Sequence, residues 1–250
     1  MIDLSARAKL TWYLEVTGRR ADGLHDLRSE FATIDLEDRL AVDDHADYVR
    51  ASGPFADSVP IDGTNLVTRA LDLVHRRAGV TIEKRIPVGG GLGGGSADAA
   101  AILRWAGGVP TEDAARLGGD VPFCQVGGRA LVEGAGERLT PLAFVARQVT
   151  LMMPNFAVNT AACYRAFDQL WSEGWRPSGR NHLEVPAGVA EPRLARTLAW
   201  LRAEFGPEVH LAGSGSSCFV EGLVADRADS WDVKGPAGPV RMYVATTTPQ

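Results

Sequence analysis

Residues 87–100 read PVGGGLGGGSADAA, and from Gly89 to Ser96 six of eight positions are glycine, with Leu92 the one sizeable side chain. Ordinary strands and helices avoid that composition, because glycine adds no packing and loses the most conformational freedom on ordering. A run of glycines does let the backbone approach a ligand closely and adopt positive φ. The following SADAAAILRWA reads as a helix opening at Ser96, with Ala100, Leu103 and Ala106 on its inward side. Unpaired amides and the positive dipole end of such a helix attract phosphate oxygens. The stretch therefore reads as a phosphate cradle. Ser96 is expected to cap the helix and also to meet phosphate oxygens or a magnesium ion.

Other glycine loops fit less well. A Walker A loop needs Lys directly before its final Ser or Thr, and Gly95 stands there. The dinucleotide pattern GxGxxG is present at Gly89, Gly91 and Gly94, yet the acids at the expected spacing, Glu112 and Asp113, sit at a predicted helix start. A plain turn has little use for six glycines beside a helix start.

Outward from the loop, Val80–Ile86 reads as a strand entering it. Before that, Thr64 is expected to cap a helix from Asn65 to about Arg77, with Val67, Ala70, Leu71 and Val74 inward. Ala8–Val16 and Leu27–Val42 read as strands on either side of a turn. A short helix over Thr111–Leu117 precedes the Gly-Gly-Asp turn at 118–120, and the residues through Leu142 alternate like strands. Val149–Met153 is an apolar strand. Helices follow over Thr160–Trp171 and around Leu194, Leu198, Leu201 and Phe205. Val209–Ala212, Ser217–Glu221 and Val240–Thr246 read as closing strands. These patterns imply an α+β fold in two parts, 1–145 and 146–250, joined near Ala143–Arg147.

The chain has 250 residues, ordinary apolar and charged content, and a net charge of −5 from 26 basic and 31 acidic residues. Mild acidity argues against a broad nucleic-acid surface. Cys124, Cys163 and Cys218 show no CxxC or zinc spacing and read as small buried hydrophobes in a reducing compartment. The N-terminus carries charges where a signal peptide would be apolar, and Arg147, Gln148 and Asn155 interrupt the most apolar later stretch. A cytoplasmic protein is expected, with a small-molecule substrate, no nucleic-acid partner and no membrane association. Oligomeric state is not legible.

Pro87, Gly91, Leu92, Gly93, Gly94, Gly95, Ser96 and Ala97 together resemble the ATP loop of the GHMP kinase superfamily. Three further stretches carry the resemblance: ARAKLTWYLEVTGRRADGLHDL near the start, GGDVPF at 118–123 and LAGSGSSCF at 211–219. It implies a two-domain fold with ATP and acceptor in the cleft between the halves. It also implies phosphorylation of a small alcohol, with magnesium, and within the superfamily an acceptor bearing a cytidyl diphosphate. Asp120 then matches the catalytic base and Lys9 its charge partner. Pro87, Gly89, Gly90, Gly91, Leu92, Gly93, Gly94, Gly95, Ser96 and Asn65 fall to ATP. His25, Thr11, Thr160, Tyr164, Gly213, Ser214 and Gly215 fall to the acceptor.

Each has a structural alternative. Asp120 suits a solvated turn, Asn65 a helix cap and Tyr164 an apolar helix face. The resemblance departs at Leu24, where an aromatic is usual, and at Thr11, where asparagine is usual. The stretch 101–117 is also shorter. Those departures leave open a different small alcohol or a non-catalytic nucleotide-binding relative.

Overall fold

A computed structural model describes residues 1–225 and 230–249. Two long strands organise the first half. β1 (Ile2–Arg19) pairs antiparallel with β2 (His25–Asp43) along its length. The other edge of β2 is divided: 27–32 pair with β5 (Arg129–Gly134), and 39–43 with β4 (Gly79–Glu83). β3 (Tyr48–Ser52) runs parallel to β4, and β6 (Arg138–Pro141) pairs antiparallel with β5. A second, antiparallel sheet has the order β10 (Ser230–Gly235), β11 (Gly238–Thr246), β7 (Gln148–Pro154), β9 (Cys218–Glu221) and β8 (His210–Leu211).

Four helices belong to the first sheet: α1 (Leu66–Leu73), α2 (Gly94–Trp105), α3 (Thr111–Leu117) and α4 (Val121–Val126). Three cover the second: α5 (Thr160–Ser172), α6 (Glu184–Ala190) and α7 (Pro192–Phe205). The result is α+β. A third apolar cluster lies between the sheets, where Ala8, Leu10 and Trp12 of β1 meet Leu151, Met153, Ala212 and Phe219. β1 thus contributes to all three cores, through Ala6, through Leu10 and through Leu14.

The β1–β2 register shifts on either side of residues 9–11 of β1. Such bulges re-aim side chains. Between them Leu10 enters the core between the sheets, while Lys9 and Thr11 share the opposite face.

Several local expectations need correction. α2 begins at Gly94, two residues before Ser96, because Gly93 takes the left-handed conformation (φ 70°) and leaves no side-chain cap. Asn65, not Thr64, caps the preceding helix: its Oδ1 accepts the Val67 amide at 2.8 Å, and α1 ends at Leu73. Residues 121–126 form α4 and not a strand, since Pro122 suits a first helical turn and Val121, Phe123 and Cys124 all bury. β4 stops at Glu83 because Lys84 makes the last bond to β3, donating to Ser52, and the Arg85 and Ile86 amides then turn to the Asp38 carboxylate. β3, α6 and β10 are additions to the elements expected from the sequence.

Candidate active site

The glycine loop is fastened from both halves of the molecule. Leu92 is fully buried in the cluster between the sheets, and its carbonyl accepts the Lys9 amide at 3.0 Å. From the other side, Ser217 donates to Gly90 and Val158 donates to Gly89. Gly91 (φ 78°) passes so close to the 211–217 segment that a Cβ there would lie 2.1 Å from the Ala212 carbonyl. Gly93 leaves equally little room, with Lys9 Cγ 2.8 Å from the position of its missing Cβ. After this turn the amides of Gly94, Gly95 and Ser96 open α2 and find no acceptor among the described residues. Three free donors at a helix N-terminus form an anion cradle.

That cradle opens into a cleft of about 370 Å³ lined from both halves. Pro87, the loop glycines, Asn65, Lys84, Asp98 and Asp120 face Thr160, Tyr164, Leu183, Gly213 and Ser214 across it. Lys9 is buried at the junction. Its Nζ lies 3.3 Å from Asp120 Oδ2, donates to Thr11 Oγ1 at 2.9 Å and sits 4.5 Å from the Phe31 ring centroid. A buried ammonium requires such partners. Asp120 is half-exposed at the start of α4, open to a ligand yet within reach of the cation.

Gly213 (φ 58°) brings the 211–217 segment over this pair, and a Cβ there would lie 3.4 Å from both Lys9 Nζ and Thr11 Oγ1. Asn181, which no sequence motif marks, supports the turn by donating to the carbonyls of Leu211 and Gly213 at 3.0 and 2.8 Å. Ser214 and Thr160 share a 2.9 Å hydrogen bond on the opposite wall of the cleft.

Further along that wall, His25 stacks on Tyr164 with ring centroids 4.8 Å apart and meets the edge of Phe167. Asp168, one helical turn after Tyr164 and likewise outside the sequence motifs, holds His25 Nε2 at 2.8 Å. Burial pushes the Tyr164 hydroxyl above its ordinary range, so the ring acts as a neutral face. Leu24 is exposed in the turn between β1 and β2.

Not every expected side chain is free to meet a ligand in the cleft. The Leu92 side chain is core, so only its backbone belongs to the loop. Gly215 packs against Leu211 and Leu194 behind Gly91. Both ends of the Asn65 amide are engaged by the protein, Oδ1 in the helix cap and Nδ2 on the Pro60 carbonyl at 2.6 Å. His25 adjoins the cleft through Tyr164 and lines a neighbouring pocket with Phe167 and Trp171. All three thiols are buried and unpaired, and burial pushes them up to about 12, so none is a nucleophile at neutral pH.

Among the described residues, no group of three or more His, Cys, Asp or Glu side chains could hold a metal ion. Magnesium carried on phosphate oxygens asks for only one or two protein oxygens. The Ser96 hydroxyl, lining the cleft beside the free amides, has the chemistry to be one.

A cradle of free amides beside an acid–lysine pair, in a cleft between two sheets, is the arrangement a phosphoryl-transfer enzyme of the GHMP class requires. Residues 65–128 match the family model for the GHMP kinase N-terminal domain. The mevalonate kinase of Methanococcus jannaschii shares the fold at 12% identity and a TM-score of 0.58, covering 99% of this chain and 98% of that one. More specifically, a 4-diphosphocytidyl-2-C-methyl-D-erythritol kinase from Paracoccus denitrificans is 36% identical over 98% of this chain and 92% of its own length. Its counterpart from Cereibacter sphaeroides is 38% identical over 88% of each chain. A crystal structure of 4-(cytidine 5'-diphospho)-2C-methyl-D-erythritol kinase superposes with a TM-score of 0.69 at 31% identity, covering 98% of this chain and 99% of that one. The chain belongs to the 4-diphosphocytidyl-2-C-methyl-D-erythritol kinase family, and it is a phosphotransferase.

Proposed function

We propose that the enzyme transfers the γ-phosphoryl group of ATP to the 2-hydroxyl of 4-diphosphocytidyl-2-C-methyl-D-erythritol, releasing ADP and the 2-phosphate. This is a step of the non-mevalonate route to isoprenoid precursors. The observation that carries the reading is the Lys9–Asp120 pair, 3.3 Å apart between the amide cradle and the acceptor wall. Phosphoryl transfer is mainly positioning and charge stabilisation. The cradle amides of Gly94, Gly95 and Ser96 hold the ATP phosphates. Asp120 accepts the proton of the acceptor hydroxyl as its oxygen bonds to phosphorus. Lys9 keeps that carboxylate oriented and offsets the charge spreading over the transferred group.

The cytidyl end rests on the Tyr164 face and His25, with Thr160 and Ser214 along the diphosphate. Magnesium, with Ser96 as its protein contact, would neutralise phosphate charge when bound. In this reading residues 1–145 bind ATP and residues 146–250 contribute the acceptor wall. The free, buried cysteines fit a reducing compartment, and we assign the enzyme to the cytoplasm. Among the described residues no helix is long and apolar enough to cross a membrane.

A coupled assay of ADP release with this acceptor tests the reading, with Asp120→Asn as control. Acceptor-dependent turnover that vanishes in the variant supports it. Wild-type enzyme no faster than the variant would remove it.

A further inference from the structure

Beneath the phosphate loop, at the floor of the cleft, lies a charged cluster to which the proposed transfer assigns no step. The Lys84 ammonium is 2% exposed and contacts two carboxylates buried to the same degree, Asp38 on β2 and Asp98 on α2. Its distance to Asp98 Oδ2 is 2.6 Å, and its bond to Asp38 Oδ2 is shorter. The second Asp38 oxygen accepts the amides of Arg85 and Ile86 at 2.5 and 2.8 Å. Those residues are the last before Pro87. Asp98 stands in the second turn of the helix that leaves the loop. The ammonium also lies 3.0 Å from where a Gly94 Cβ would be, directly under the first residue of α2.

Stability alone is a poor reason for this arrangement. Buried ion triads often contribute no more than a well-packed apolar replacement. Here one oxygen, Asp98 Oδ1, has no hydrogen-bond partner among the described residues, and burial holds the Asp98 carboxyl up at about 7 despite the pull of Lys84. The cluster nevertheless ties together the two ends of a loop whose interior has almost no side chains of its own. Glycine segments keep a single shape only when their surroundings impose it.

We propose that Lys84, clamped between Asp38 and Asp98, is a positioning residue that sets the shape of the ATP phosphate loop by fixing its entering strand to its departing helix. The inference rests on the loop being the ATP cradle of the proposed function. Removing Lys84 would strand two buried carboxylates, and removing Asp38 would also leave the Arg85 and Ile86 amides without their acceptor. Asp98 is the member that can be altered while Lys84 and Asp38 remain a neutral pair.

The test is steady-state kinetics of Asp98→Ala and Asp98→Asn, joined to hydrogen exchange of the nucleotide-free proteins. Asp98→Ala should raise KM for ATP about tenfold or more, leave KM for the acceptor within about twofold and change kcat by less than about threefold. Asp98→Asn keeps an oxygen for Lys84 and should return KM for ATP to within about threefold of wild type. In Asp98→Ala, amides of residues 88–97 should exchange about tenfold faster or more, with β7, β9 and β11 unchanged. Asp98→Ser, too short to reach Lys84, replaces the alanine variant if that one does not fold. An unchanged KM for ATP, equal rises in both KM values, no rescue by asparagine, or faster exchange throughout both sheets would each overturn the clamp. If wild-type enzyme shows no ATP-dependent turnover, the proposed function fails, while the exchange comparison still judges the clamp.

Discussion

On the glycine-loop side of the cleft the backbone is fastened from two directions, whereas the wall that continues to His25 rests on side chains stacked upon one another. Leu92, the Gly90 and Gly89 carbonyls and the buried Lys84 cluster hold the loop against both sheets. At the other end, His25 leans on Tyr164, and Asp168 steadies it from one helical turn away. The contrast matches the chemistry that the proposed function asks of each side. Phosphates are bound by backbone amides, which cannot be exchanged and must be positioned by everything around them. A base is bound by faces and edges of side chains, which single substitutions can re-tune.

The largest effect should come where the two sides meet. Asp120→Asn is expected to lower kcat by about 10²–10⁴-fold with KM values little changed, measured by ADP release. A variant keeping more than a tenth of the wild-type rate would take the base role away from Asp120. On the donor side, Gly91→Ala drives a methyl group into the Ala212 carbonyl at a left-handed position. A loss of about 3 kcal/mol in urea unfolding is expected, together with loss of nucleotide binding. A wild-type unfolding midpoint would mean that the loop can re-seat and is not rigid.

The acceptor side should respond more mildly and more selectively. Tyr164→Ala is expected to raise KM for the acceptor by about tenfold or more, the loss of about 1–3 kcal/mol of stacking, without altering KM for ATP. Should the ATP constant rise equally, the two walls are coupled and the contrast between them fails. The smallest change is a gain. Leu24→Phe would offer a second ring where an exposed leucine now stands and should lower KM for the acceptor by about threefold to tenfold. No improvement would show that Leu24 lies too far from the base.

Sequence and structure agree most closely where composition alone is decisive. Six glycines between a proline and an alanine-rich helix point to a ligand loop, whereas Leu92, grouped in the sequence with the ATP residues, is shown only by the structure to anchor it in the core. Lys9 is legible as a cation in an apolar strand, since such a group needs a partner. Less legible are features that depend on backbone sign or on distant partners. The start of α2 precedes Ser96 because a left-handed Gly93 can begin a helix without a side-chain cap. α4 resembles a strand in its sequence because a helix of six residues, mostly buried, shows no 3.6-residue periodicity. Asp38 and Lys84 are 46 positions apart, and only the pairing of β2 with β4 brings them together. Asp168 does carry a readable signal, being four residues after Tyr164 on one helix.

One strand joins these regions. Leu14 of β1 receives a hydrogen bond from His182 and gives one to Arg180, so the first strand of the chain is stitched into the half formed last. At the far end, Thr248 donates to Thr33 in the middle of β2. During synthesis the first sheet would therefore lack its last ties until residues 180–182 and 248 had emerged. Anyone dividing the gene near residue 145 for fragment complementation should find that neither fragment folds alone, and that the pair recovers activity only when mixed before refolding.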